Sequence, residues 1–214
     1  MPDCPLCGHA AAPVDEDRRR RYFQCPECRL IFADPASHLD AAAEKAVYDL
    51  HCNDPADAGY RRFLDRLAAP LLTRLHPGMH GLDYGCGPGP ALSQMLRQAG
   101  MRMTDYDPIY APDPAALDRQ YDFVTCTEVV EHFKQPAQDW ERLLATVRPG
   151  GWLGVMTQLA LGPERFRRWQ YRNDPTHVAF HSAETFAWIG RHHGLTVERA
   201  GDAVMLLRKR RARH

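Results

Sequence analysis

The hydrophobic positions after residue 57 alternate between helical spacing and short continuous runs. Apolar residues recur at intervals of three and four along one predicted helix face, formed by Tyr60, Phe63, Leu64, Leu67, Leu71, Leu72 and Leu75. Two β-rich runs, 121–127 and 152–156, enclose an amphipathic pattern over 136–147. Strands that alternate with helices of this length are typical of an α/β domain with a parallel sheet.

The end of this pattern predicts a change of direction. Two apolar runs, 195–200 and 203–207, flank Gly201 and Asp202, a pair that favours a two-residue hairpin turn. We therefore expect the mostly parallel sheet to finish with an antiparallel hairpin.

Prolines and caps set the expected helix boundaries before the sheet. Residues 41–50 are expected to be helical, and Asp54 followed by Pro55 has the form of an N-cap and a first helical residue. Pro70 is expected to kink or split the long helix, because proline removes a backbone hydrogen bond. Pro77 with Gly78 should end it.

A glycine-rich turn separates a short apolar strand from the next helix, with an acid and glycines at alternate positions: Asp83, Gly85, Gly87 and Gly89. Such glycines permit positive φ and let the backbone approach a ligand closely. The third position of a dinucleotide fingerprint falls on Pro90 or Leu92, and the lysine of a P-loop is missing. The acid-and-glycine form instead resembles the first motif of the class I S-adenosylmethionine (SAM)-dependent methyltransferases.

An acid also ends the next expected strand, at residues 101–106. Asp107 suits the vicinal hydroxyls of a ribose, and Asp105 is the second candidate. Only 13 residues separate Asp107 from Tyr121, and they include three prolines. We therefore expect no full third helix and strand in this segment.

Two further motifs make the resemblance specific. Glu-Val-Val-Glu-His, residues 128–132, follows the strand at 121–127, and Arg-Pro-Gly-Gly, residues 148–151, precedes the apolar run at 152–156. In their order along residues 45–208, the motifs resemble class I methyltransferases of the branch with quinone, small-molecule and sugar enzymes. This resemblance implies a Rossmann-like, doubly wound, mostly parallel sheet of the seven-stranded type.

The resemblance also implies the residues of the site. SAM contacts are expected from Asp83, Gly85, Cys86, Gly87, Gly89, Asp107, Glu128 and Tyr60. Tyr48 and His51 are further candidates to reach the site from the preceding helices. The polar, aromatic loop over 157–181 resembles an acceptor-site element through its Asp-Pro-Thr-His-Val segment. His177 is the first candidate for a general base and His132 the second, and Tyr171 and Asp174 would orient the acceptor or the base.

Two CxxC pairs precede all of these motifs. Cys4, Cys7, Cys25 and Cys28, with 17 residues between the pairs, have the spacing of a four-thiolate zinc ribbon. The charged segment between the pairs is expected to form no core, so the metal would supply the folding energy. The four arginines at 18–21 would suit phosphate contacts, but a solvated hairpin is the favoured interpretation.

Composition limits the remaining possibilities. The 27 basic and 27 acidic residues balance, so no overall positive field favours nucleic acid. The sequence has no apolar run of about 18 residues, so we expect no membrane span. Its N-terminus lacks a secretory pattern. Seven cysteines, four of them in metal-type pairs, favour a reducing cytoplasm.

The expected organisation is a zinc ribbon at 1–36, a methyltransferase domain with lead-in helices at 37–208 and a basic tail at 209–214. The expected function is SAM-dependent methylation of a small-molecule acceptor. The alternatives are an RNA methyltransferase guided by the ribbon and a catalytically silent scaffold that binds SAM and zinc. The sequence leaves the acceptor atom and the oligomeric state open.

Overall fold

The computed structural model describes residues 1–50 and 54–211 of the chain. The strands in these ranges are β1 (Ala12–Glu16), β2 (Arg21–Gln24), β3 (Ile31–Ala33), β4 (His80–Tyr84), β5 (Arg102–Tyr106), β6 (Tyr121–Thr127), β7 (Val147–Met156), β8 (Ala179–Phe180), β9 (Leu195–Arg199) and β10 (Val204–Lys209). The α-helices are α1 (Ala41–Tyr48), α2 (Ala58–Leu72), α3 (Ala91–Gln98), α4 (Pro136–Ala145), α5 (Pro163–Phe166) and α6 (Ala183–His193). Within these ranges, no helix combines the length and hydrophobicity that crossing a bilayer requires.

The main sheet has six strands in the order β5-β4-β6-β7-β10-β9. The first four are parallel to one another, whereas β10 runs antiparallel to both β7 and β9. This confirms the Rossmann-like sheet with a terminal antiparallel hairpin. The sheet has one strand fewer than the seven-stranded type, because the proline-containing segment after β5 forms one 3-10 turn, Pro114–Ala116, and no strand among the described residues.

Helix α2 covers one face of this sheet with its buried residues Leu64, Leu67, Ala68 and Leu71. It begins one turn later than expected, because Asp57 caps the helix through the backbone amide of Tyr60, whereas Asp54 accepts from Ala56 N in the preceding turn. The helix also continues through Pro70. This residue lies in its last turn, where the loss of one backbone hydrogen bond interrupts little of the helix. Of the candidate residues on the lead-in helices, His51 lies outside the described residues.

A second, four-stranded antiparallel sheet has the order β1-β2-β3-β8. Strand β8 comes from the loop that follows β7, so the N-terminal cysteine module and the C-terminal half of the chain share one sheet. Tyr22 of β2 is fully buried, with edge-to-face contacts to Phe166 and Phe180. The expectation that the segment between the cysteine pairs forms no core is therefore wrong. Tyr22 of this segment is buried against residues more than 140 positions away.

Candidate active site

A cavity of about 1110 Å³ opens beyond the carboxyl ends of β4, β5 and β6. This is where parallel α/β sheets bind their ligands. The predicted site residues that line it are Tyr48, Tyr60, Gly85, Cys86, Gly87, Asp107, Glu128, His132, Asp174 and His177. Asp83, Gly89 and Tyr171 do not line the cavity. The glycine turn and the histidine loop thus line one cavity.

The glycine turn after β4 has a backbone that requires glycine. Gly85 and Gly87 have φ of +79° and +64°, and a Cβ atom at Gly85 would collide with the side chain of Val129. Asp107 holds this turn, because Oδ2 of its carboxylate accepts from Gly87 N at 3.1 Å and Oδ1 accepts from Ile109 N at 2.8 Å. The alternative acid Asp105 lies outside the cavity lining and pairs with Arg97 of α3 at 2.7 Å.

Asp83 is buried behind the turn. Its carboxyl oxygen accepts from Thr125 Oγ1 at 2.7 Å. Burial raises the pKa of Asp83 to about 7, because a charged carboxylate loses its hydration there. Asp83 can therefore gain or lose a proton near neutral pH.

Two carboxyl groups and one phenol form a buried cluster at the end of β6. The hydroxyl of Tyr171 donates to Glu128 Oε2 at 3.0 Å and makes a short hydrogen bond with Glu131. Burial raises the pKa of both carboxyl groups. Glu128 also has φ of +52°, an uncommon conformation for a non-glycine residue that is often found at functional sites.

His132 and His177 lie beside this cluster, with ring centroids 4.9 Å apart. Nδ1 of His132 lies 3.1 Å from the carbonyl oxygen of Thr176, and Nδ1 of His177 lies 2.7 Å from that of Tyr171. Asp174 is 3.9 Å from Nε2 of His177. The site therefore combines two oriented imidazoles with buried carboxyl groups at the cavity wall.

The profile of a methyltransferase domain family matches residues 56–200, which contain the glycine turn, Glu128, both histidines and β9. The chain belongs to this SAM-dependent methyltransferase family. The match confirms the class and the methyl donor expected from the motifs.

Several curated relatives of this methyltransferase are named ubiquinone biosynthesis O-methyltransferases. One from Paraburkholderia phytofirmans is 46% identical over 130 residues, which cover 60% of this chain and 50% of the relative. One from Hydrogenovibrio crunogenus is 33% identical over 100 residues, which cover 36% and 41% of the two chains. The chain thus spans about half the length, or less, of the curated relatives that it matches.

Solved structures support the fold of the methyltransferase. The magnesium protoporphyrin IX methyltransferase of Synechocystis, with bound S-adenosylhomocysteine (SAH), aligns with a TM-score of 0.55 at 16% identity, over 79% of this chain and 94% of that one. The 1,6-didemethyltoxoflavin-N1-methyltransferase of Burkholderia thailandensis aligns with a TM-score of 0.53 at 17% identity, over 94% and 100%. Identities this low support the fold alone.

Sequence reasoning missed a residue that contacts the loop of Asp174 and His177. Arg20, taken as part of a solvated charge run, is only 7% exposed. Its guanidinium donates to the backbone carbonyl oxygens of His177 at 2.8 Å and Asp174 at 3.1 Å. Within the loop, the buried Arg172 binds Asp17 of the N-terminal module at 2.8 Å. No local signal in the run of four arginines distinguishes Arg20 from its neighbours, because the contacts are to a distant segment.

The four cysteines of the CxxC pairs form one cluster. The Sγ atoms of Cys4 and Cys28 are 3.5 Å apart, those of Cys7 and Cys25 are 3.3 Å apart, and all four lie within 4.8 Å of one another. A tetrahedral zinc ion with Zn–S distances of about 2.3 Å separates its sulfur atoms by about 3.8 Å. The donor set and its size therefore fit a zinc ion.

Proposed function

We propose that this methyltransferase transfers the methyl group of SAM to a small-molecule acceptor and releases SAH. The observation that carries the proposal is that the glycine turn and the histidine loop line one cavity. The names of several curated relatives, ubiquinone biosynthesis O-methyltransferases, support a small acceptor. So does the solved structure of the toxoflavin enzyme, in which the small molecule 1,6-didemethyltoxoflavin is bound together with SAH.

Cofactor binding is assigned to the side of the cavity nearest the sheet. The backbone of Gly85, Cys86 and Gly87 is proposed to contact SAM, with Gly89 completing the turn. Asp107 is proposed to accept from the ribose hydroxyls, since a carboxylate has about four acceptor positions and backbone amides occupy only part of them. Tyr60 and Glu128 would close the pocket, and Asp83 would place negative charge behind the amino-acid end of SAM.

The opposite side of the cavity is assigned to the acceptor. Bound SAM supplies a methyl group already activated on a sulfonium, so the protein chiefly has to align the acceptor with it. A base is needed only if the acceptor loses a proton. His177 is the first candidate for this base and His132 the second. Asp174 would orient His177, and Tyr171 would orient the carboxyl groups of Glu128 and Glu131.

We also propose that the four cysteines bind structural zinc. Reduced thiolates suit a reducing compartment such as the cytoplasm. The role of the ribbon would be to support the acceptor loop through β8 and Arg20. An RNA-guiding role is less well supported, because Arg20 is buried and Arg21 pairs with Asp34.

The test is to add the purified protein and methyl-labelled SAM to a cell extract and to separate small molecules, RNA and protein. Label in the small-molecule fraction is expected, and the labelled product identifies the acceptor. The matched control is Gly85→Ala, which introduces a Cβ atom at positive φ against Val129 and should abolish labelling. Label in RNA would instead support the RNA methyltransferase. Confirmed SAH binding with no label in any fraction would support the silent scaffold.

A further inference from the structure

One face of helix α4 forms part of the cavity wall. The N-cap residue Gln135 and the helical residues Gln138, Asp139 and Arg142, which are three or four positions apart, line the cavity. Strand β5 lies at one end of the strand order, and the described residues between β5 and β6 form no strand. Helix α4 therefore supplies polar side chains to the cavity in a sheet that differs from the seven-stranded type next to β5.

Two tyrosines lie close to this face of α4. Tyr84 and Tyr106, at the ends of β4 and β5, line the same cavity with ring centroids 5.4 Å apart. Burial raises the pKa of both phenols, and the positive charge of Arg142 partly opposes that rise, so the guanidinium is near both rings. Tyr84 is 7% exposed and Tyr106 is more accessible, so Tyr106 presents the ring that a ligand can reach.

The ribose assigned to Asp107 limits where the base of SAM can lie. Adenine is joined directly to that ribose, so the base must lie within a few ångströms of Asp107. Tyr106 precedes Asp107 in the chain, and both residues line the cavity. An aromatic side chain offers a base a surface for stacking. Tyr106 is accordingly the candidate to hold the plane of the adenine.

Asp139 has more acceptor positions than its neighbours fill among the described residues. Its Oδ2 atom accepts from Gln135 N at 3.1 Å, and its Oδ1 atom is 4.0 Å from the guanidinium of Arg142, which is too far for a hydrogen bond. A carboxylate has about four acceptor positions. It can accept from the 6-amino group of adenine, whereas it repels the 6-oxo group of hypoxanthine, which is itself an acceptor.

We propose that Asp139 of α4 selects the adenine base of the cofactor by accepting from its 6-amino group, and that Tyr106 stacks on the base. This inference rests on the proposed function, because it takes SAM as the ligand and Asp107 as the residue that binds its ribose. Helix α4 then supplies base recognition in a chain whose described residues form no strand between β5 and β6. The two residues act differently, since the carboxylate discriminates between bases and the aromatic ring does not.

The test compares SAH with S-inosylhomocysteine, in which a 6-oxo group replaces the 6-amino group, by calorimetric titration of the full chain. The parent should bind SAH about 10- to 100-fold more tightly, since a hydrogen bond to a charged group is lost with the 6-oxo ligand. Asp139→Asn keeps an oxygen for Gln135 N and gains an amide donor for the 6-oxo group, so this ratio should fall at least about tenfold. Glu141→Gln, exposed on the same helix and outside the cavity lining, should keep the ratio of the parent.

Tyr106 is tested with the same two ligands. Tyr106→Leu removes the aromatic ring and should weaken both ligands by a similar factor of at least about five, because stacking does not depend on the group at position 6. Tyr106→Phe keeps the ring and should bind both ligands as the parent does.

Equal affinity of the parent for SAH and S-inosylhomocysteine would overturn the proposal without any variant. A folded Asp139→Asn that keeps the ratio of the parent would overturn the role of Asp139, and unchanged binding in Tyr106→Leu would overturn the stacking. These results would leave methylation of a small molecule standing, because the labelling experiment tests it separately. The expected ratios in a protein that labels no fraction would support base recognition by α4 and refute the proposed function.

Discussion

The guanidinium group of Arg20 donates a hydrogen bond of 2.8 Å to the backbone carbonyl oxygen of His177. The two residues are 157 positions apart, one in the cysteine module and the other at the wall of the cavity. Strand β8 follows His177 by two residues and pairs with β3 of the same module. The cysteine module is thus a direct support of the loop that we assign to the acceptor.

Replacing Arg20 should impair catalysis more than cofactor binding. Arg20→Met removes the charged donor from several backbone carbonyl groups, so residues 172–178 should lose their fixed position. Because misplacement by about 1 Å can cost about 100-fold in rate, we expect kcat to fall by about 10- to 100-fold. SAH affinity by calorimetry should remain within about twofold. The rate is measured with the acceptor that the labelling experiment isolates.

The matched control is Arg19→Met, since Arg19 lies beside Arg20 but its side chain is exposed. This variant should match the parent in rate and in hydrogen exchange of residues 172–178, whereas Arg20→Met should exchange faster there. Equal exchange and equal rates in both variants would show that Arg20 does not position the loop.

Loss of the proposed zinc should also affect the loop at 172–178 and the strand β8 that follows it. The parent protein is expected to contain about one zinc ion per chain, and Cys25→Ser should release it. Because β3 follows the second cysteine pair directly, we expect faster hydrogen exchange at Ala179 and Phe180 of β8 in the variant. Metal content by atomic absorption and exchange by mass spectrometry check the two effects.

Cys126→Ala is the control, because Cys126 is buried in the main sheet, outside the cluster. It should retain the metal and the parent exchange at β8. A parent protein without zinc would refute the ribbon prediction. Zinc loss with unchanged exchange at β8 would limit the metal to a role within the module.

The parts of the molecule that sequence predicted best are those fixed by neighbouring residues. The turn at 83–89 follows from its glycines, because a backbone with positive φ favours glycine. The cysteine cluster follows from the CxxC spacing, which brings the two sulfur atoms of each pair close together. The hairpin of β9 and β10 is likewise set by a short turn. In each case the determining contacts lie within a few residues.

The parts that sequence did not predict depend on contacts between distant segments. Arg20 is in a run of four arginines that resembles a solvated hairpin, and only the folded loop supplies the carbonyl groups that bury it. The two residues of β8 are too few for a periodic pattern, and their partner β3 is far away. The buried state of Tyr22 could not be predicted for the same reason. Pairing between remote elements is set by the tertiary fold, which one sequence does not display.

The ribose role of Asp107 predicts a selective loss of cofactor affinity. Asp107→Ala removes the expected acceptor of the ribose hydroxyls and also the oxygen that holds Gly87 N. A lost hydrogen bond to a charged group costs about 1.5–3 kcal/mol, so SAH binding should weaken by about 10- to 100-fold. Calorimetric titration with SAH measures this change.

Asp105→Ala is the matched control and should have a smaller effect, because Asp105 faces Ser93 and Arg97 of α3. A larger loss in Asp105→Ala than in Asp107→Ala would transfer the ribose role to Asp105.

The buried carboxyl of Asp83 predicts how stability depends on pH. Its pKa is about 7 in the folded protein against an ordinary 3.8, and burial is the main cause. Between about pH 4 and pH 7 the folded state therefore retains a proton that the unfolded state has lost. In this window the contribution of Asp83 to the free energy of unfolding falls as pH rises, by up to about 1.4 kcal/mol per pH unit. Above the folded-state pKa both states have lost the proton, and the contribution of Asp83 no longer falls.

Asp83→Asn isolates this contribution, because asparagine has a similar shape and does not titrate. We expect the free energy of unfolding of the variant, relative to the parent, to rise from pH 5 to pH 7 and then to level off. Urea unfolding of both proteins at pH 5, 6, 7 and 8 measures the difference. Saturating SAH should flatten the rise, since the ammonium group of its amino-acid end favours the ionised carboxylate. A difference that does not change with pH would show that Asp83 is already ionised without ligand, and a rise that SAH does not alter would separate Asp83 from the cofactor site.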